Sequence, residues 1–211
     1  MSDLTLASTS RATDVAPARE TADADMGVPF DVRGDERLFA ALLRAGYVQT
    51  EGNRFVRLDG HRELVIDVLA PSYLGRLVTH QEHGRLVVDE IPGLQTALLE
   101  QPTVVEITAN LTDGTEVRMT LLLPDVGAAL VMKAHSYVGR LARSDAIDIH
   151  RLLEAANVAG RTAQDWPTRV EAPAAAKVLH DRFGTRRPNQ FLSGAAAARV
   201  RLLVQRVVPA A

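Results

Sequence analysis

Two Asp-Gly dipeptides, at 59–60 and 113–114, each divide a pair of short β-rich runs, and beyond Pro124 the periodic segments are helical. Asp-Gly between alternating runs signals a hairpin, because the favoured two-residue turns need positive φ. "RFVRLDGHRELVIDVLAP" (54–71) and "TVVEITANLTDGTEVRMTLLLP" (103–124) therefore read as hairpins, with "RLVVDEI" (85–91) as a further strand. "GDERLFAALLRAGY" (34–47) sets Leu38, Leu42 and Ala45 on one helical stripe that Gly46 ends. A short helix is expected near 92–100. Helices are expected over 125–142, 144–157, 174–184 and 194–208, with Ser144 as an N-cap and Asp145 in the first turn it opens. Strands with an early helix, followed by helices only, define an α+β chain: a small mixed or antiparallel sheet with flanking helices, then a helical C-terminal part. The expected division is a flexible segment over 1–18, a sheet domain over 19–124 and a helical part over 125–211.

The 211 residues suffice for one sizeable domain, or a domain with a helical appendage. Net charge is −2, so no global basic field advertises nucleic-acid binding. Cysteine is absent, which excludes disulfides, thiolate catalysis and Cys-ligated zinc or iron–sulfur sites and suits a reducing cytoplasm. No apolar run approaches the 18 or so residues of a membrane span, and the N-terminal segment lacks the apolar core of a secretory signal. A cytoplasmic protein without a membrane partner is expected.

The stretch "RETADADMGVP" (19–29) places Asp23 and Asp25 one residue apart where a strand could begin. In a strand they share a face, about 7 Å apart. Two carboxylates so placed make either a solvated turn or a hard-metal site. A third carboxylate, Asp67 in "ELVIDVLAP", shares a strand face with Val65, while Leu64, Ile66 and Val68 share the other. Such a carboxylate either faces solvent, pairs with an arginine, or joins the other two. Three carboxylates on adjacent strands can hold two divalent cations about 3.5–4 Å apart, the arrangement that activates a hydroxyl and clamps a nucleotide's phosphates.

"RETADADMGV" (19–28), then a helix ending in "AGY", then "VIDVLAP", resembles the DNA polymerase β-type nucleotidyltransferase superfamily, and within it the AbiEii-like branch of bacterial toxin–antitoxin systems. "MKAHSYVGRLARSDAIDIHRLL" extends the resemblance through a helix lysine, an arginine and an Asp-x-x-Asp pair, so that it covers residues 17 to 155 in order. It implies a nucleotidyltransferase-type sheet, and Mg²⁺ or Mn²⁺ bound by Asp23, Asp25 and Asp67. It also implies Asp67 and Lys133 as catalytic residues, Lys133 on the nucleotide's phosphates, and Arg140, Asp145 and Asp148 in support. The implied activity moves a nucleoside monophosphate from an NTP to an acceptor hydroxyl, on tRNA or another RNA, with a cognate antitoxin as partner. The family opens with a Gly-Ser helix that holds the triphosphate, the usual anion chemistry of a helix N-terminus. No glycine precedes Gly27 here, and Ser8 and Ser10 follow none. Either the gene product starts upstream of Met1, or the copy has decayed. The alternative function is accordingly an inactive or truncated module of the same fold.

Other residues keep two readings. Lys133 is either a snorkelling residue or a phosphate contact. Asp145 suits helix-end electrostatics, and Asp148 can pair with Arg151 or Lys133. His80 and His83 in "THQEHG" read as an exposed loop rather than a zinc pair, which would want a third ligand. Arg182, Arg186 and Arg187, near Phe183 and Phe191, with Arg199, Arg201 and Arg206, form either an RNA-facing basic surface or a solvated helix face with a core aromatic.

Overall fold

A computed structural model describes residues 23–110, 114–186 and 189–210. The elements are β1 (Asp23–Gly27), α1 (Glu36–Arg44), β2 (Val48–Glu51), β3 (Arg54–Asp59), β4 (Arg62–Pro71), β5 (Val78–His83), β6 (Leu86–Ile91) and α2 (Leu94–Leu99). Then come β7 (Thr103–Asn110), β8 (Glu116–Leu123), α3 (Val126–Arg140), α4 (Arg143–Val158), α5 (Ala172–Phe183) and α6 (Gly194–Val207). The fold is α+β: a mixed curled sheet with flanking helices and a helical C-terminal part.

Strand β4 is the hub of the sheet. Its first six residues pair antiparallel with β3 across the Gly60-His61 turn, and its last three pair parallel with β6. Strand β1 runs parallel to Val65–Leu69. Leu69 is in register with both Gly27 of β1 and Asp89 of β6, so those two strands lie on opposite edges of β4. Side chains alternate across the strands. One face carries Val28, Phe55, Val68, Ala70 and Val88 and packs on Phe39 and Leu42 of α1. The other carries Asp23, Asp25, Asp67, Leu69 and Ile91, whose apolar members pack on α2 and α3 through Leu94, Ala97, Ala128 and Met132. The aspartates and the second core thus occupy one face.

Helices α3 to α6 form their own core of Leu130, Val131, Ile149, Leu153, Leu179, Leu203 and Val204. Glu171, just before α5, ties that bundle to the start of α2. Its carboxylate accepts from the Gly93 and Thr96 amides (2.6 and 3.1 Å) and from the Thr96 hydroxyl (2.9 Å). Gly93 itself has φ of +87°, and a Cβ there would lie 2.9 Å from the Met132 Cα, so only glycine lets α2 start this close to α3.

Several expectations change. "THQEHG" is not a loop: β5 covers it and pairs with β6, with a register shift where His80 takes φ of +54°. β2 also belongs to the sheet, though no strand was expected over 48–51. β7 and β8 pair with each other as a separate two-stranded ribbon outside the six-stranded sheet, and Asp113 of the expected turn lies outside the described residues. Helix α4 starts one residue before Ser144, with Ala142 at its N-cap and no side-chain cap. The segment expected to be flexible, 1–18, lies outside the described residues. Among those residues no helix is long and apolar enough to cross a membrane.

Candidate functional site

Strands β1 and β4 and helices α3 and α4 supply the members of one charged cluster. Asp25 and Asp67 are register partners on parallel strands, so their Cα atoms sit about 4.8 Å apart with side chains on the same face. Asp23 stands two residues earlier on that face. Asp25 keeps access to solvent at the strand edge. Its carboxyl is nevertheless held above the ordinary aspartate range, first by the protein crowded around it and next by the negative charge of Asp67, with a smaller contribution from Asp23. Lys133 and Arg140 act on it in the opposite direction. All of the sequence-derived residues on β1, β4 and α3 therefore share one electrostatic site.

Asp67 has a partner that sequence reading left without a number. Arg54 of β3 donates to both of its carboxylate oxygens, Nε to Oδ1 and Nη2 to Oδ2, each at 3.0 Å. The carboxylate in turn raises the pKa of Arg54, through these hydrogen bonds first and charge second. The partner was accessible from the turn. Asp59 faces Arg62 across Gly60-His61, so five residues back from one and five forward from the other places Arg54 opposite Asp67.

The helical wall is built at the α3–α4 corner. Leu141 takes φ of +48° there, an uncommon conformation for a side-chain-bearing residue, and the chain turns sharply enough for the end of α3 to meet the start of α4. Asp145 is fully buried. It accepts from Arg140 Nε and Nη2 at 3.0 and 2.8 Å and lies 3.6 Å from Lys133 Nζ. Burial of a carboxylate at this position is sustained by those cations and by the helix N-terminus. Lys133 also pairs with Asp148 at 2.9 Å, the second of the two partners expected for that aspartate. The Asp145 pair raises the pKa of Arg140, to which Asp25 adds.

Among the described residues, Asp23, Asp25, Asp67, Asp145 and Asp148 share this electrostatic cluster with Arg54, Lys133 and Arg140. Carboxylate oxygens are the donor type that a hard divalent cation takes. Asp67 has to exchange Arg54 for such an ion, and among the described residues no three His, Asp or Glu side chains stand together in ligating geometry. His80 and His83 join no such group either: His83 Nε2 lies 3.5 Å from Glu90, and the His80 amide donates to Asp89.

The C-terminal arginines divide. Arg199 is spent on Glu154 through two 2.8 Å hydrogen bonds, and Phe183 is buried in the bundle core. Arg187 lies outside the described residues. No family model, no curated protein and no solved structure matches the chain.

Proposed function

We propose that this chain is a nucleotidyltransferase-type protein that binds a nucleoside triphosphate with Mg²⁺ or Mn²⁺ at Asp23, Asp25 and Asp67 and transfers its nucleoside monophosphate to a hydroxyl of an RNA acceptor, with tRNA as the first candidate. The observation that carries this reading is the register of Asp25 with Asp67 on parallel strands, facing Lys133 and Arg140. A bound divalent cation supplies charge neutralisation at the phosphates and acidifies a hydroxyl. In this reading Asp67 accepts the acceptor's proton once Arg54 turns aside. Lys133 balances phosphate charge, and Arg140 fixes Asp145, which in turn positions Lys133. In the reaction the acceptor oxygen bonds to the α-phosphorus, the bond from that phosphorus to the α,β-bridging oxygen breaks, and pyrophosphate leaves.

The Arg54 clamp favours a second reading, in which the chain is a catalytically inactive binding or regulatory module of the same fold. With Asp67 held by Arg54 and Lys133 held by two aspartates, the charges that would meet a substrate are already satisfied internally.

The test is transfer of label from each of the four α-³²P NTPs to bulk tRNA, with Mg²⁺ or Mn²⁺. The expected result is labelled RNA, reduced at least about a hundredfold in Asp67→Asn. Nucleotide binding without label transfer under any of these conditions favours the second reading.

A further inference from the structure

A pocket of about 260 Å³ lies between the end of α5 and the start of α6, among residues outside the aspartate cluster. Arg182, Arg186 and Arg201 line it, and among the described residues its lining contains no carboxylate. Among the described residues none of these three arginines forms an ion pair, whereas Arg199 beside them is neutralised by Glu154. Three like charges around one concavity repel each other, and an anion seated between them relieves that repulsion. Guanidinium forks match the paired oxygens of a phosphate.

Two further features shape the pocket. Its frame is fixed: Asn189 Nδ2 donates to the Tyr137 hydroxyl at 2.9 Å, and Asn189 Oδ1 accepts from the Phe191 amide at 2.9 Å. Its inner wall is apolar, with Phe183 and Val200 both buried. A wall of that kind adds contact area for a sugar, which an inorganic ion does not use. Gly194 opens α6 against the pocket, and Ser193 at the N-cap makes no side-chain hydrogen bond, so the first-turn amides add to the positive potential.

We propose that this pocket is an anion site for the phosphate of a nucleotide, free or within an RNA strand. The site is independent of the chemistry proposed for Asp25 and Asp67, because it shares no residue with that cluster.

The test uses the full chain and the fluorescence anisotropy of a fluorescein-labelled twelve-nucleotide oligoadenylate, with competition by unlabelled strand, adenosine 5′-monophosphate and inorganic phosphate. Three proteins are compared: the unsubstituted chain, Arg186→Gln/Arg201→Gln, and the charge-matched control Arg44→Gln/Arg118→Gln. The pocket variant is expected to bind at least about tenfold more weakly, while the control stays within about twofold of the unsubstituted chain. Competition by the monophosphate as effective as that by the strand identifies a free nucleotide as the ligand, and a much stronger strand identifies RNA. No binding of any probe, or equal loss in the charge-matched control, overturns the proposal. Circular dichroism of the pocket variant separates lost binding from lost fold.

Discussion

Asp25 and Asp67 face each other in register across two parallel strands, and only Asp67 is clamped by an arginine. That asymmetry makes Asp25 the costly member of the pair. Its folded pKa lies above the ordinary 3.8, so between that value and the raised one the folded chain binds the extra proton. Stability therefore falls as pH rises through that window, and the loss is complete above it. Asp25→Asn is expected to raise Tm at pH 7, by about 2–4 °C for each kcal/mol relieved. The solvent access of Asp25 keeps the gain small. The gain disappears as the pH falls below 3.8. Thermal melts of both proteins across this range check it.

Arg54→Gln is expected to lower the Tm of the metal-free protein, since it removes the cation that offsets Asp67 beside Asp25. The pair is partly exposed, so the loss is under about 1 kcal/mol. Millimolar Mg²⁺ or Mn²⁺ is expected to restore more Tm in this variant than in the unsubstituted chain, because Asp67 no longer has to exchange partners. Melts with and without each cation read both effects.

The two helix aspartates are expected to separate in their cost. Asp145→Ala removes the two hydrogen bonds from Arg140 and the contact with Lys133, both of which keep access to solvent, and is expected to cost about 2 kcal/mol in urea unfolding. Asp148→Ala breaks one partly exposed pair and is expected to cost under about 1 kcal/mol.

Glu171→Gln keeps the shape of the carboxylate and loses its charge at the start of α2. It is expected to cost about 1 kcal/mol, and Glu171→Ala about 2 kcal/mol, because the latter leaves the Gly93 and Thr96 amides uncapped. Amide hydrogen exchange of Gly93 and Thr96 locates the effect at that joint.

Fold class was legible because the β-rich runs around their turns and the later helical patterns lie far apart along the chain. The candidate cluster was legible where spacing carries it: Asp23 with Asp25 on one strand face, and Lys133 with Asp145 and Asp148 around one helix corner. The register that pairs Asp25 with Asp67 is a long-range parallel contact, which no local pattern encodes. Arg54 was within reach through the hairpin count, but Glu171 was not, because its partners lie 75 and 78 residues away. β5 was missed because "VTHQEH" is a polar strand with no apolar alternation, recognisable by its pairing with β6. Ser144 was misplaced as a cap because the sharp turn at Leu141 starts α4 earlier than its side-chain pattern suggests.

The central claim is that Asp25 and Asp67 together hold a metal–nucleotide complex. Titration calorimetry with the Mg²⁺ complexes of ATP, CTP, GTP and UTP tests it most directly, using the full chain and Asp25→Asn. Saturable binding of at least one of the four, requiring both Mg²⁺ and Asp25, is expected. Binding of none, or binding unchanged in Asp25→Asn or without Mg²⁺, contradicts it.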